Sequence, residues 1–214
     1  MLGMTRTPAG AFLCRIARFF LCSAFVGLAV KIMDDWIDRS NGRGGDEPPH
    51  GERACDFASR LGTAALPYAL VCLACGVAFD PPTALALFFG SYAVGMALGT
   101  ADRYPSGLSG AQESLAVLAA SVMACGLRLT LTAGLCILCV QALDDVIDYH
   151  VSGLATAPLV RRFGLWETAL AAAGFLLVAA GLDAPRTLGV MLAAALVWKV
   201  ERLLESRQSR MWYN

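Results

Sequence analysis

Charge is what this sequence has least of: only 16% of its 214 residues are Asp, Glu, Lys or Arg, against 57% that are hydrophobic. Together with a mean hydropathy of +0.59, that shortage excludes an ordinary soluble domain of this size and points to an integral membrane protein. Net charge is missing as well, seventeen Lys and Arg standing against seventeen Asp and Glu, so no nucleic-acid partner is expected. Histidine is nearly absent, and neither of the two lies near the C-x-x-C pairs Cys72/Cys75 and Cys136/Cys139. Those pairs therefore lack the company of a soft-metal site. All cysteines but Cys55 fall inside apolar runs, which argues against a disulfide framework and for small residues that pack helices together. No low-complexity segment and no second domain interrupts the chain, and residues 1–214 read as a single integral membrane domain.

What is there in abundance is apolar sequence cut by turn chemistry. Seven stretches, at about 11–33, 59–79, 83–101, 111–127, 129–147, 166–182 and 187–204, approach the ~20 residues a helix needs to cross a bilayer. Asp80-Pro-Pro, Tyr104-Pro-Ser-Gly and Leu182-Asp-Ala-Pro mark boundaries between them. The expected fold is all-α: a multi-pass bundle of about seven transmembrane helices around a central cavity. Threaded alternately, the stretches put residues 34–58, 102–110, 148–165 and the C-terminal tail on one side. That side carries most of the arginines, so the positive-inside rule makes it cytoplasmic and places the N-terminus outside. The segment from Arg6 to Val30 has the look of a signal peptide, but its apolar run continues unbroken into the first acidic motif and is read as a retained first span. The loop Gly42 to Glu52, rich in Gly, Pro and charge, is the expected lid.

The scarce charge is concentrated in two near-copies of one motif, each closing an apolar run: Lys31-Ile-Met-Asp34-Asp35-Trp-Ile-Asp38-Arg39 and Gln141-Ala-Leu-Asp144-Asp145-Val-Ile-Asp148-Tyr149. On a helix, aspartates at i, i+1 and i+4 leave two carboxylates on one side and a third about 100° round it. Three unpaired negative charges at the end of a membrane helix repel one another and resist desolvation, so they call for a cation. Mg²⁺ suits them, being hard, oxygen-seeking and accustomed to sharing its shell between carboxylates and a substrate phosphate. Two such turns facing each other would hold a diphosphate through bridging metals, with Asp34, Asp35, Asp38, Asp144, Asp145 and Asp148 as the candidate ligands. The duplication, roughly 110 residues apart, marks a possible repeat of helices.

These residues resemble the motifs of the UbiA superfamily of intramembrane prenyltransferases, Asn-Asp-x-x-Asp-x-x-x-Asp and Asp-x-x-x-Asp. Asp35 and Asp38 fit the first, with Asp34 in place of Asn and Gly42 in place of the last Asp; Asp144 and Asp148 fit the second. Beyond it, Gly153-Leu-Ala-Thr156-Ala-Pro158 followed by Arg162-Phe-Gly164 is similar to that family's Gly-x-x-Thr-x-Pro and later Gly, and Arg103-Tyr104-Pro105 with Gln112 is loosely similar to its basic and Gln positions. The resemblance implies a Mg²⁺-dependent enzyme acting on an isoprenyl diphosphate. Asp35, Asp38, Asp144 and Asp148 would be catalytic through the metals, and Arg43, Arg53, Arg103 and Arg162 would contact substrate, guanidinium matching phosphate geometry. Tyr68, Phe88, Phe89, Tyr92 or Trp198 would face the prenyl cation, with His150 as a candidate base.

Transfer of the prenyl group to a hydrophobic acceptor is the first reading. The alternative within the same resemblance is a membrane terpene cyclase, which needs no acceptor. From another class comes a cation or proton transporter, whose carboxylates would be expected near the bilayer midplane on interrupted helices.

Overall fold

A computed structural model describes the backbone of residues 8–42, 61–98, 107–152 and 157–212, with side chains described for 10–37, 61–97, 107–151 and 157–203. Arg43, Arg53 and Arg103, the Gly42 to Glu52 segment beyond Gly42, the Tyr104-Pro-Ser turn, and the side chain of Asp38 lie outside these residues. Within them the fold is all-α. Seven helices follow one another: α1 (Pro8–Gly42), α2 (Ala65–Phe79), α3 (Pro81–Leu98), α4 (Gly110–Cys125), α5 (Leu127–Ser152), the six-residue α6 (Pro158–Phe163) and α7 (Leu165–Trp212), with a 3-10 turn at Gly62–Ala64 leading into α2.

Over its described residues each of the seven apolar stretches is helical, and the last two form a single long helix broken at Asp183 (φ −154°, ψ 87°). Gly10–Ile37, Gly62–Phe79, Leu127–Val151 and Leu165–Leu203 are long and apolar enough to cross a membrane. The 39 residues of the last amount to about 58 Å of helix, nearly twice the ~30 Å of a bilayer core, so the break at Asp183 divides it into two arms of useful length. The outer surface carries Leu115, Met123, Leu170 and Leu177, each more than two-thirds exposed. Water would penalise such a coat and lipid would not.

The corners are built by their own residues. Asp80 (φ −155°, ψ 89°) ends α2; Pro81 and Pro82 follow in the first turn of α3, where no N–H is required, and the Thr83 hydroxyl donates back to the Asp80 carboxylate. Asp183 repeats this with Ala184-Pro185, its Oδ1 accepting the Arg186 N–H at 3.2 Å. Gly126 (φ 86°) turns α4 into α5, a conformation that favours glycine. A capping box of Ser109 and Gln112 starts α4.

These single-residue corners gather at one end. There Arg18 pairs with Asp80 at 3.4 Å, Arg186 Nε donates to Thr83 at 3.0 Å and lies over the Phe19 ring, and Arg128 donates to the Leu182 carbonyl. The acidic motifs occupy the other end. In both halves a long helix carries Asp-Asp-x-x-Asp toward the acidic end, and an Asp-x-Pro corner joins the next two long helices at the opposite end. The duplication seen in the motif thus extends to α1–α3 and to α5 with the two arms of α7.

α1 packs on α2 and α7, α5 on α7 and α3, and α3 on α4. The close approaches use missing side chains: a Cβ on Gly189 would lie 2.8 Å from Phe19 Cβ and 2.9 Å from Phe20 N. Cys22, Cys136 and Cys139 are buried among these contacts and unbridged.

Candidate functional site

Between α1, α3, α5 and the second arm of α7 lies a cavity of about 290 Å³, close to the lower limit for small-molecule sites. Four faces contribute at helical spacing. α1 presents Ser23, Val26, Gly27, Val30, Lys31 and Asp34, while α5 presents Ile137, Val140, Gln141 and Asp144. α3 adds Leu87, Ser91 and Gly95, and α7 adds a stripe from Val190 through Val197 and Trp198 to Glu201. Polar groups line one end; the walls below are almost wholly aliphatic.

One carboxylate from each motif therefore reaches the same cavity, Asp34 from the first and Asp144 from the second. Their neighbours are engaged elsewhere. Asp35 is 7% exposed and its Oδ1 lies 3.2 Å from Lys31 Nζ, one turn earlier on α1. Asp145 is 5% exposed, and its Oδ2 accepts the Leu159 N–H at 2.6 Å in the first turn of α6. The expectation of three unpaired charges in each motif is corrected here. In both copies the second aspartate is held by protein, because successive residues on a helix point about 100° apart and only one of an adjacent pair can face the cavity. Nor do the motifs close their helices: α1 runs on to Gly42 and α5 to Ser152. Asp148 sits half-buried one turn beyond Asp144 and outside the cavity wall.

Sequence reading missed two groups of this wall. Lys31 Nζ also lies 3.2 Å from Glu201 Oε1, so one ammonium ties α1 to the second arm of α7. The cavity wall contains three carboxylates, Asp34, Asp144 and Glu201, against this single ammonium. Glu201, on α7, carries no motif; the only sequence signal was an acidic residue one turn past a long apolar run.

Of the aromatic candidates, Trp198 alone is in the cavity wall. The Tyr92 hydroxyl donates to Glu113 at 3.2 Å on an exposed surface, and exposed Arg162 lies over its neighbour Phe163. Neither reaches the cavity. His150 is exposed beyond Asp148 with its ring against Tyr149.

Among the described residues no three His, Cys, Asp or Glu side chains come together as a metal site. Mg²⁺ nevertheless fits what is there, because it commonly binds through one or two carboxylates and completes its shell with water and substrate phosphate. Asp34 and Asp144 supply that pair, oxygen donors of the right hardness on opposite faces of one cavity. The chain was also compared with known proteins: no family model, no curated protein and no solved structure matches it.

Proposed function

We propose that this protein is a Mg²⁺-dependent intramembrane prenyltransferase, binding an isoprenyl diphosphate in the cavity and transferring its prenyl group to a hydrophobic acceptor. The observation that carries the reading is the delivery of one aspartate from each duplicated motif to the acidic end of a single aliphatic cavity. An amphiphile with an anionic head and a hydrocarbon tail fits that division of polarity. On this reading Asp34 and Asp144 hold the metal, which when bound supplies positive charge against the diphosphate. Lys31 lies between Glu201 and Asp35, and on this reading Asp34 and Asp144 are the carboxylates that face the cation. In the reaction the allylic C–O bond breaks with its electron pair on the departing diphosphate; the acceptor forms the new bond and releases a proton. Val26, Val30, Leu87, Ile137, Val140, Val190 and Val197 keep water from the prenyl cation, and the Trp198 ring near the acidic end would face its charge. The proposal places the acidic end at the cytoplasmic face of a cell membrane, following the arginine distribution.

The test is purified protein in detergent with Mg²⁺ and geranyl, farnesyl or geranylgeranyl diphosphate, with and without an aromatic or other nucleophilic acceptor. Diphosphate release that requires acceptor is expected, and Asp144→Asn lowers it by about 10²-fold or more, the scale of losing one electrostatic contact at a reacting centre. Full turnover in a folded Asp144→Asn protein would refute the metal-holding role. A cyclic product formed without acceptor would replace transfer by cyclisation.

A further inference from the structure

Among the described residues the buried side-chain hydroxyls all have hydrogen-bond partners with one departure; Thr83 donates to the Asp80 carboxylate, and Ser121 and Thr130 share a bond at 3.0 Å. Ser91 donates to the Leu87 carbonyl at 2.9 Å, Ser114 to Gly110 at 2.8 Å, Thr132 to Arg128 at 2.9 Å, Thr168 to Gly164 at 2.7 Å and Thr187 to Asp183 at 2.9 Å. Each returns its proton to the helix one turn back, the ordinary resort of a hydroxyl in an apolar helix. Ser23, on α1, does not. It is 5% exposed, its Oγ has no hydrogen-bond partner among the described residues, and it belongs to the cavity wall. A buried hydroxyl without a partner is costly enough to be uncommon, and where it faces a cavity the missing partner belongs in the cavity.

Its position defines what that partner must be. Ser23 stands eleven residues before Asp34 on the same helix, about 16 Å below the acidic end at the rise of an α-helix. Val26, Leu87 and Val190, all buried, belong to the same wall. The other hydroxyl of the wall, Ser91, has already spent its proton on Leu87. The deep end of an otherwise aliphatic cavity thus holds one unspent donor.

We propose that Ser23 is a hydrogen-bonding anchor at the floor of the cavity, receiving a hydroxyl or carbonyl oxygen at the end of the ligand remote from its ionic group. The ligand class this selects is an elongated amphiphile with oxygen at both ends. The proposal rests on the reading of the cavity as a ligand site but not on the reaction performed there. In a prenyl transfer the anchor would hold the oxygenated far end of one of the two substrates and fix how deeply it enters.

Binding tests it without turnover. Trp36, Trp166 and Trp212 are replaced by Phe in the full chain, so that emission from Trp198 in the cavity wall reports entry. Two probes are titrated into the detergent-solubilised protein: dodecylammonium, whose charge is held at the acidic end, and 12-hydroxydodecylammonium, which carries a hydroxyl at the far end as well. The quantity read is the ratio of their dissociation constants, in which probe solvation cancels between protein variants. Ser23→Ala is expected to shift that ratio against the hydroxylated probe by roughly five-fold, the worth of one net hydrogen bond. Ser23→Thr, which keeps the hydroxyl, retains the native ratio. An unchanged ratio in Ser23→Ala, with or without an equal loss for both probes, overturns the anchor. The result is separable from the reaction: a shifted ratio in a protein that never releases diphosphate keeps the anchor and rejects the transferase, and turnover with an unshifted ratio does the reverse.

Discussion

Replacing Lys31 by methionine keeps the length and most of the apolar stem of the side chain while removing its ammonium. The structure then leaves Asp35, 7% exposed, and Glu201, whose side chain is 30% exposed, without their common counter-charge. Each N···O separation is 3.2 Å, a gross attraction of about 5 kcal/mol at an effective dielectric of 20. Much of that is offset by the desolvation of the three groups. Removing one partner of a fully buried pair costs about 3–5 kcal/mol. Because the Lys31 side chain is 33% exposed, solvent screening reduces the expected loss to about 2–3 kcal/mol. For a chain of this size the midpoint of thermal unfolding falls by about 4–12 °C, measurable by circular dichroism on the detergent-solubilised protein. Lys31→Met combined with Asp35→Asn recovers part of the loss, since the buried carboxylate that faced the ammonium is then neutral. A Lys31→Met protein as stable as wild type would refute the buried-pair argument. So would a double variant no more stable than the single one.

Asp145→Ala leaves the Leu159 N–H, bonded at 2.6 Å, without its acceptor in the first turn of α6. The cost is about 1.5–3 kcal/mol, as for a hydrogen bond to a charged group, and hydrogen exchange should show protection lost in α6 before the rest of the bundle. Gly189→Ala sets a Cβ 2.8 Å from Phe19 Cβ and 3.0 Å from its carbonyl carbon, atoms that no rotamer change can move. Unfolding measurements should find it destabilised by about 1–3 kcal/mol, the cost of overpacking. Gly174→Ala, whose Cβ would meet nothing within 4 Å, gains up to about 1 kcal/mol from helix propensity and serves as its control.

The helices were legible because their signals are local. Apolar runs of spanning length are cut by Asp80-Pro-Pro and Leu182-Asp-Ala-Pro, and the structure turns at those aspartates. The acidic motifs were legible as places where charge survives in an apolar chain. Which aspartate of each pair faces inward was not, because that depends on the rotation of α1 and α5 within the bundle. Lys31 and Glu201 lie 170 residues apart in sequence, and nothing local pairs them. Ser23 reads as one more small residue among many until the cavity beside it is known. Two of the expected substrate contacts, Tyr92 and Arg162, stand away from the cavity for a related reason: they have the right chemistry, but on helix faces that α3 and α6 turn away from it.

The shared acidic end depends on a count of helices. Each half of the molecule consists of three long helices, α1–α3 and α5 with the two arms of α7, whose first member carries its acidic motif toward the chain's C-terminal direction. Three successive helices that reverse direction at each joint finish at the end opposite to where they began. A second unit attached directly would start at the acidic end and carry its own motif to the opposite one, the arrangement of an inverted repeat. α4, only 16 residues long, reverses the chain once more, so that α5 begins at the Gly126 corner and brings Asp144 back to the end that holds Asp34. A helix of only 16 residues is therefore what makes the repeat parallel, and a cavity shared by one carboxylate from each half requires that parallel relation.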